Sequence, residues 1–88
     1  MSVEFDEAKR HLVLEKHGID LLDAAKILNS SCLVSASERN GEPRWLAIGM
    51  LEGREIALVF TKRGENIRLI SARRARDNER KAYHARFS

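Results

Sequence analysis

"IRLISARRARDNERKAY", Ile67 to Tyr83, decides how this chain folds. Ile67, Leu69 and Ile70 make an extended apolar run that suits a strand. No Gly or Pro follows, so the segment from Ala75 to about Arg86 suits a helix. Working backwards, "IRLISAR" is preceded by the polar turn "KRGEN", the run "EIALVFT", the turn "EGR" and the run "RWLAIGML". Before these come "ERNGEP", with the hairpin dipeptide Asn40-Gly41, and the short run "CLVSA". Each connection is too short for a parallel crossover, so the four long strands are expected to form an antiparallel meander.

The N-terminal third reads as helix. "VEF" suits a brief strand, and Asp6 can cap a helix that runs to about His17 and stops at Gly18. Ala8, Leu12 and Glu15, with Phe5 before them, share one side of it. Asp20 can cap a second helix with Leu21, Ala24, Ala25 and Leu28 as its apolar stripe. The expected fold is α+β: an N-terminal helical hairpin, an antiparallel four-stranded meander sheet and a C-terminal helix.

With 88 residues, 43% hydrophobic and 33% charged, the chain is expected to form one folded domain over residues 1–88. No apolar run approaches the roughly 18 residues of a membrane span, and no signal-peptide pattern opens the chain. A cytoplasmic location without a membrane partner is the expectation. Cys32 is the only cysteine, so no intrachain disulfide can form; in "SSCLVSAS" it reads as a small buried apolar residue. His11, His17 and His84 are scattered, which leaves no zinc ligand set at workable spacing. Neither metal nor cofactor is expected.

The net charge of +3 hides an asymmetry. Residues 1–60 hold seven Lys and Arg against ten Asp and Glu, whereas residues 61–88 hold nine against three. A basic region this concentrated points to a polyanion, RNA, DNA or an acidic protein surface, or else to a solvated helix. Strict alternation in the last strand puts Ile67, Leu69, Ser71 and Arg73 on one face and Arg68, Ile70 and Ala72 on the other. Arg68 and Arg73 can grip phosphate in a groove or close salt bridges at the sheet rim. On the last helix Ala75, Glu79, Ala82, Tyr83 and Arg86 share a face, which turns Glu79 and Tyr83 inward. Glu79 suits an ion pair with arginine, or proton transfer. Tyr83 suits base stacking, or the core. Lys9 and Lys16 lie about 20° apart on the first helix, and His17 at its end can act as an acid or simply as a cap.

Taken together, "FDEAKRHLVLEKHGI", "ALVFTKRGENIRLI" and "ISARRARDNERKAY" resemble the BrnT toxins of bacterial type II toxin–antitoxin systems. The motif falls on Asp6, Lys9, Lys16, His17, Gly18, Thr61, Arg68, Ser71, Ala72, Arg73, Ala75, Glu79 and Tyr83, over nearly the whole chain. Phe5 replaces the usual Trp, Val13 stands where Asn is common, and Phe60 takes the place of Tyr. If a lost polar group serves RNA, activity is reduced. The resemblance implies a RelE-like fold and a metal-independent ribonuclease that arrests translation. It also implies a BrnA-like ribbon-helix-helix antitoxin, a 2:2 heterotetramer with it, and operator DNA bound only through that complex.

On this expectation Arg68, Arg73, Glu79, Tyr83, Lys9 and His17 form the catalytic set, with Lys16, Arg74, Lys62, Arg63 and Ser71 touching RNA. Cleavage by internal attack needs the 2′-OH proton removed, charge on the phosphate neutralised and the leaving 5′-oxygen protonated. Arg68, Arg73 and Lys9 suit the second task, Glu79 or His17 the proton transfers, and Tyr83 can position the nucleotide. The competing class is a binding module that holds RNA or an acidic antitoxin segment without cutting. A DNA-binding protein is the weakest reading, because no helix-turn-helix pattern is visible.

Overall fold

In the computed structural model, which describes residues 2–87, the elements in chain order are β1 (Val3–Glu4), α1 (Glu7–His17), α2 (Leu21–Ala24), β2 (Leu33–Arg39), β3 (Glu42–Leu51), β4 (Arg54–Arg63), β5 (Asn66–Arg74) and α3 (Asp77–Phe87). The architecture is α+β, but the sheet has five strands in the order β1-β5-β4-β3-β2 and is mixed. The four long strands are the antiparallel meander. The correction is at the edge, where β1 pairs parallel with β5 through Val3–Ile67 and Glu4–Arg68. Two residues suffice because the Ile67 amide donates to the Ser2 carbonyl at 2.9 Å and Asn66 Nδ2 donates to Glu4 Oε2 at 3.0 Å. The hairpins close tightly. Asn40 and Gly41 both take positive φ (54° and 76°), as do Glu52 and Gly53 (51° and 79°), which matches the twist of the flanking strands.

The N-terminal caps form as the sequence requires. Asp6 accepts from the Ala8 and Lys9 amides at 2.8 and 3.4 Å, and Gly18 ends α1 in the left-handed region. Arg10 then forks onto Asp20, Nε to Oδ1 and Nη2 to Oδ2, both at 2.9 Å. This clamp ties α1 to the N-cap of α2. Val13 is buried, whereas Leu12, expected on the apolar side, is 63% exposed. Nor is there a full second helix for a hairpin. α2 has four residues and tightens into a 3-10 turn over Ala25–Asn29. The fully buried side chains are accordingly Leu21, Ala24 and Ile27, three apart, while Ala25 and Leu28 pack against the core only partly buried.

These helices cover one face of the sheet. Ile56, Leu58 and Phe60 of β4, Ala47 of β3 and Ile67, Leu69 and Ala72 of β5 meet Val13, Ile19, Leu21 and Ile27 there. Gly49 lets the layers approach, because a Cβ at that position would stand 2.9 Å from Ile27 Cβ. Cys32 lies beside it, half-buried, and burial pushes its thiol up.

The second face carries α3. The helix begins at Asp77, and its inward stripe is Glu79 and Tyr83, with Phe87 against the Tyr83 ring at 5.1 Å. Ala82 and Arg86, expected inward, are exposed. Tyr83 is buried, and its hydroxyl donates to the Ser31 carbonyl at 3.3 Å. His84 stands 2.6 Å from Glu55 and holds the Glu55 carboxyl below the usual range. Among the described residues no helix is long and apolar enough to cross a membrane.

Candidate functional site

A β-bulge in β5 decides which cations meet. Thr61 pairs with Arg68 and Phe60 with Leu69, but Val59 pairs with Ser71, so Ile70 is an extra residue. Strict alternation is thereby corrected. Ile67, Leu69, Ala72 and Arg74 follow the helix-covered side with Phe60, Leu58 and Ile56. Arg68, Ser71 and Arg73 lie on the second face, beside Thr61, Val59 and Ala57. The two arginines that the sequence separates from Ile67 by odd and even spacing end on one surface.

α3 covers only one end of that surface. The rest is an open groove of about 420 Å³, walled by Arg44, Arg73, Arg76 and Glu79, with the apolar side chains Leu46, Val59 and Ile70 among its lining. At the α3 end, Arg73 grips Glu79 in a two-pronged pair, Nη1 to Oε1 at 2.7 Å and Nη2 to Oε2 at 2.9 Å. The Arg76 amide adds a third donor to Glu79 Oε1 at 2.8 Å. Glu79 is 10% exposed and Arg73 23%, so solvent screens the pair only partly. The Arg73 guanidinium holds the Glu79 carboxyl below the usual glutamate range, and Glu79 in turn raises Arg73. The carboxylate is thus ionised at neutral pH and orients the arginine fork.

At the other end, Arg68 Nη1 stands 3.7 Å from Glu4 Oε1. Continuing the Trp45–Phe60 register by one residue sets Arg44 beside Thr61, whose hydroxyl donates to the Pro43 carbonyl at 2.9 Å. Ser37 pairs with Arg44 across β2 and β3. One row therefore crosses the sheet through Ser37, Arg44, Thr61, Arg68 and Glu4. Arg44 and Arg76 are not among the residues expected from sequence. The signal for Arg44 was present, since it stands in phase with Leu46 and Ile48, an arginine in an otherwise apolar row.

The remaining expected site residues lie elsewhere. Lys9 is exposed on α1, away from the groove lining. Lys16 and His17 line a separate hollow of about 510 Å³ with Leu12 and Val13, and this hollow reaches Ser71. Ser71 borders the groove as well, and so links the end of α1 to it. Arg74 faces another cavity, of about 390 Å³, with His17, Asp20, Glu52 and Arg54. Lys62 Nζ sits 4.7 Å above the Trp45 ring, and Arg63 is exposed at the β4–β5 turn. Tyr83 serves helix packing. The structure thus brings Arg73, Glu79 and Ser71 together, with Arg68 further along the same face. Val13 and Phe60 are both core residues on the helix-covered side, and neither borders the groove. Among the described residues no three His, Cys, Asp or Glu side chains converge as a metal ligand set.

Comparison with known proteins adds a family. A family model described as the ribonuclease toxin BrnT of type II toxin–antitoxin systems matches residues 5–79. The crystal structure of the Brucella abortus ribonuclease toxin BrnT is similar, with a TM-score of 0.72 and 33% sequence identity. The match covers 88% of this chain and 99% of that one. Among curated proteins none matches the sequence significantly.

Proposed function

The chain belongs to the BrnT family of ribonuclease toxins of type II toxin–antitoxin systems, and from that premise we propose that it cleaves RNA and so arrests translation. The observation that supports this best is the open sheet groove, with Arg44, Arg73 and Arg76 standing around Leu46, Val59 and Ile70. Guanidinium forks suit phosphate oxygens and apolar side chains suit base faces.

In this reading the 2′-oxygen attacks phosphorus and the bond to the 5′-oxygen breaks. The 2′ proton passes to Glu79, the carboxylate in the groove lining, and an acid gives a proton to the departing oxygen. A 2′,3′-cyclic phosphate and a 5′-hydroxyl result. Arg73 meets the charge that develops on the phosphate, aimed by Glu79, and no metal ion is required for that task. His17, through the hollow that shares Ser71 with the groove, is the proposed proton donor. Arg68 holds RNA along the same face. Lys9, Lys16, Arg74, Lys62 and Arg63 add positive field from outside the groove, and Tyr83 contributes by seating α3.

The whole chain acts as one toxin domain in the cytoplasm and is neutralised by a BrnA-like ribbon-helix-helix antitoxin. A 2:2 complex of the two reaches operator DNA through the antitoxin. One observation favours a second reading, a binding module without catalysis: Glu79 is already committed to Arg73 and to the Arg76 amide, which leaves no free base in the groove.

Product chemistry separates the two readings. Wild type and Arg73→Ala are induced in parallel cultures, and growth and total RNA are followed. Growth arrest and RNA with cyclic-phosphate ends in the wild type alone support the nuclease. Intact RNA from folded wild-type protein supports the binding module.

A further inference from the structure

Arg44 Nε is a buried side-chain nitrogen without a hydrogen-bond partner, and no other buried side-chain nitrogen or oxygen among the described residues shares that condition. Buried polar atoms are rarely left so, since the desolvation cost is then uncompensated. The rest of the guanidinium is barely engaged, with Nη2 3.5 Å from Glu42 Oε2 and the side chain 23% exposed. Arg73 differs completely, because its fork is closed on Glu79. Arg44 therefore presents at the groove wall a guanidinium that is only loosely paired, through Nη2, and unsatisfied at Nε, which suits the grip of an anionic oxygen.

Its position says which anion. Arg44 and Arg73 lie two strands apart and four residue pairs apart along the sheet. Strand spacing and rise put their Cα atoms roughly 16 Å from each other. Arg73 is drawn back toward α3 by Glu79, so the two forks do not meet on one phosphate. Leu46, Val59 and Ile70, the apolar members of the lining, come from β3, β4 and β5, the two arginines' own strands and the one between them. Arg68 joins Arg44 across Thr61 in the same row.

We propose that Arg44 anchors a second phosphate subsite, which holds a backbone phosphate of single-stranded RNA away from the reacting one, with a base face on Leu46, Val59 and Ile70. This rests on the ribonuclease reading for its substrate and assigns Arg44 to binding, with no part in bond breaking. An acidic protein segment could engage a single cation equally well, but it has no use for an apolar floor between two arginine stations.

The test uses a single-stranded RNA methylated on its 2′-oxygens, which cannot attack internally, so binding is read apart from cleavage. Affinity is measured against salt for wild type, Arg44→Gln, Arg44→Lys and the remote control Lys26→Gln, with melting curves to show that each folds. Arg44→Gln is expected to bind about tenfold more weakly and to lose about 0.7 from the slope of log affinity against log salt, the value for one phosphate contact on a single strand. Arg44→Lys should restore the slope with intermediate affinity, and Lys26→Gln should match wild type. On unmethylated RNA, Arg44→Gln should raise KM and leave kcat within about twofold. An unchanged slope in folded Arg44→Gln overturns the subsite. A changed slope with a wild type that cuts nothing keeps the subsite and removes the nuclease.

Discussion

Arg73 and Glu79 form the forked ion pair at the α3 end of the proposed site. Removing the arginine leaves a carboxylate, 10% exposed, with only the Arg76 amide as donor. Arg73→Ala should therefore abolish RNA breakdown and also cost about 1–3 kcal/mol of stability. Adding Glu79→Gln should recover part of the stability and none of the activity; paired melting and cleavage assays check both. The same chemistry sets an acid limit. Glu79 and Glu55 ionise more readily in the folded chain than in the unfolded one, because Arg73 and His84 face them. The contribution of Glu79, whose partner stays charged, is complete above the ordinary glutamate value of about 4.5 and fades as pH falls through the lowered folded value. The melting temperature should fall below that pH, and Glu79→Gln should flatten the decline. Tyr83→Phe, which loses only the 3.3 Å bond to the Ser31 carbonyl, should keep wild-type cleavage and cost about 0.5–1.5 kcal/mol on unfolding.

At the scale of elements, β5 shapes the groove and the Ala25–Asn29 turn packs the opposite face. The Ile70 bulge changes which face every later side chain takes, and it alone puts Arg73 on the same side as Arg68. The helical turn presses Ile27 against β3 where Gly49 has no side chain. Gly49→Ala would bring a Cβ to 2.9 Å of Ile27 Cβ, between two buried residues with little freedom to move. A loss of about 1–3 kcal/mol should follow, read as a lower denaturant midpoint with the slope unchanged. Gly49→Ala with Ile27→Val should regain only part, since the near contact is to Cβ, which valine keeps.

The whole molecule is a sheet with one face sealed and the other half open. α1, α2 and the 3-10 turn seal the first face; α3 seals one end of the second. The basic third of the chain, residues 61–88, supplies Arg68, Arg73 and Arg76 to the open face, but Arg44 comes from the acidic part. Charge counted along the chain therefore misses one wall of the groove. Overall RNA binding should weaken steeply between low and physiological salt, as it does where several phosphates are contacted.

Local chemistry was enough for the caps at Asp6, Gly18 and Asp20, the Asn40-Gly41 turn, the antiparallel order of the long strands and the terminal helix. Each depends on neighbours within a few residues, such as a carboxylate beside free amides or a residue that tolerates positive φ. The Arg73–Glu79 pair was half legible, because six residues separate its members and only helix and strand geometry link them. What lay beyond the sequence involves distant segments. β1 joins β5 across more than sixty residues, the Arg10–Asp20 clamp ties α1 to the start of α2, and Ile27 of the 3-10 turn packs on Gly49. The bulge belongs with these. Its register is fixed by β4 and by what the core accepts, so only the folded sheet decided that the arginines share a face.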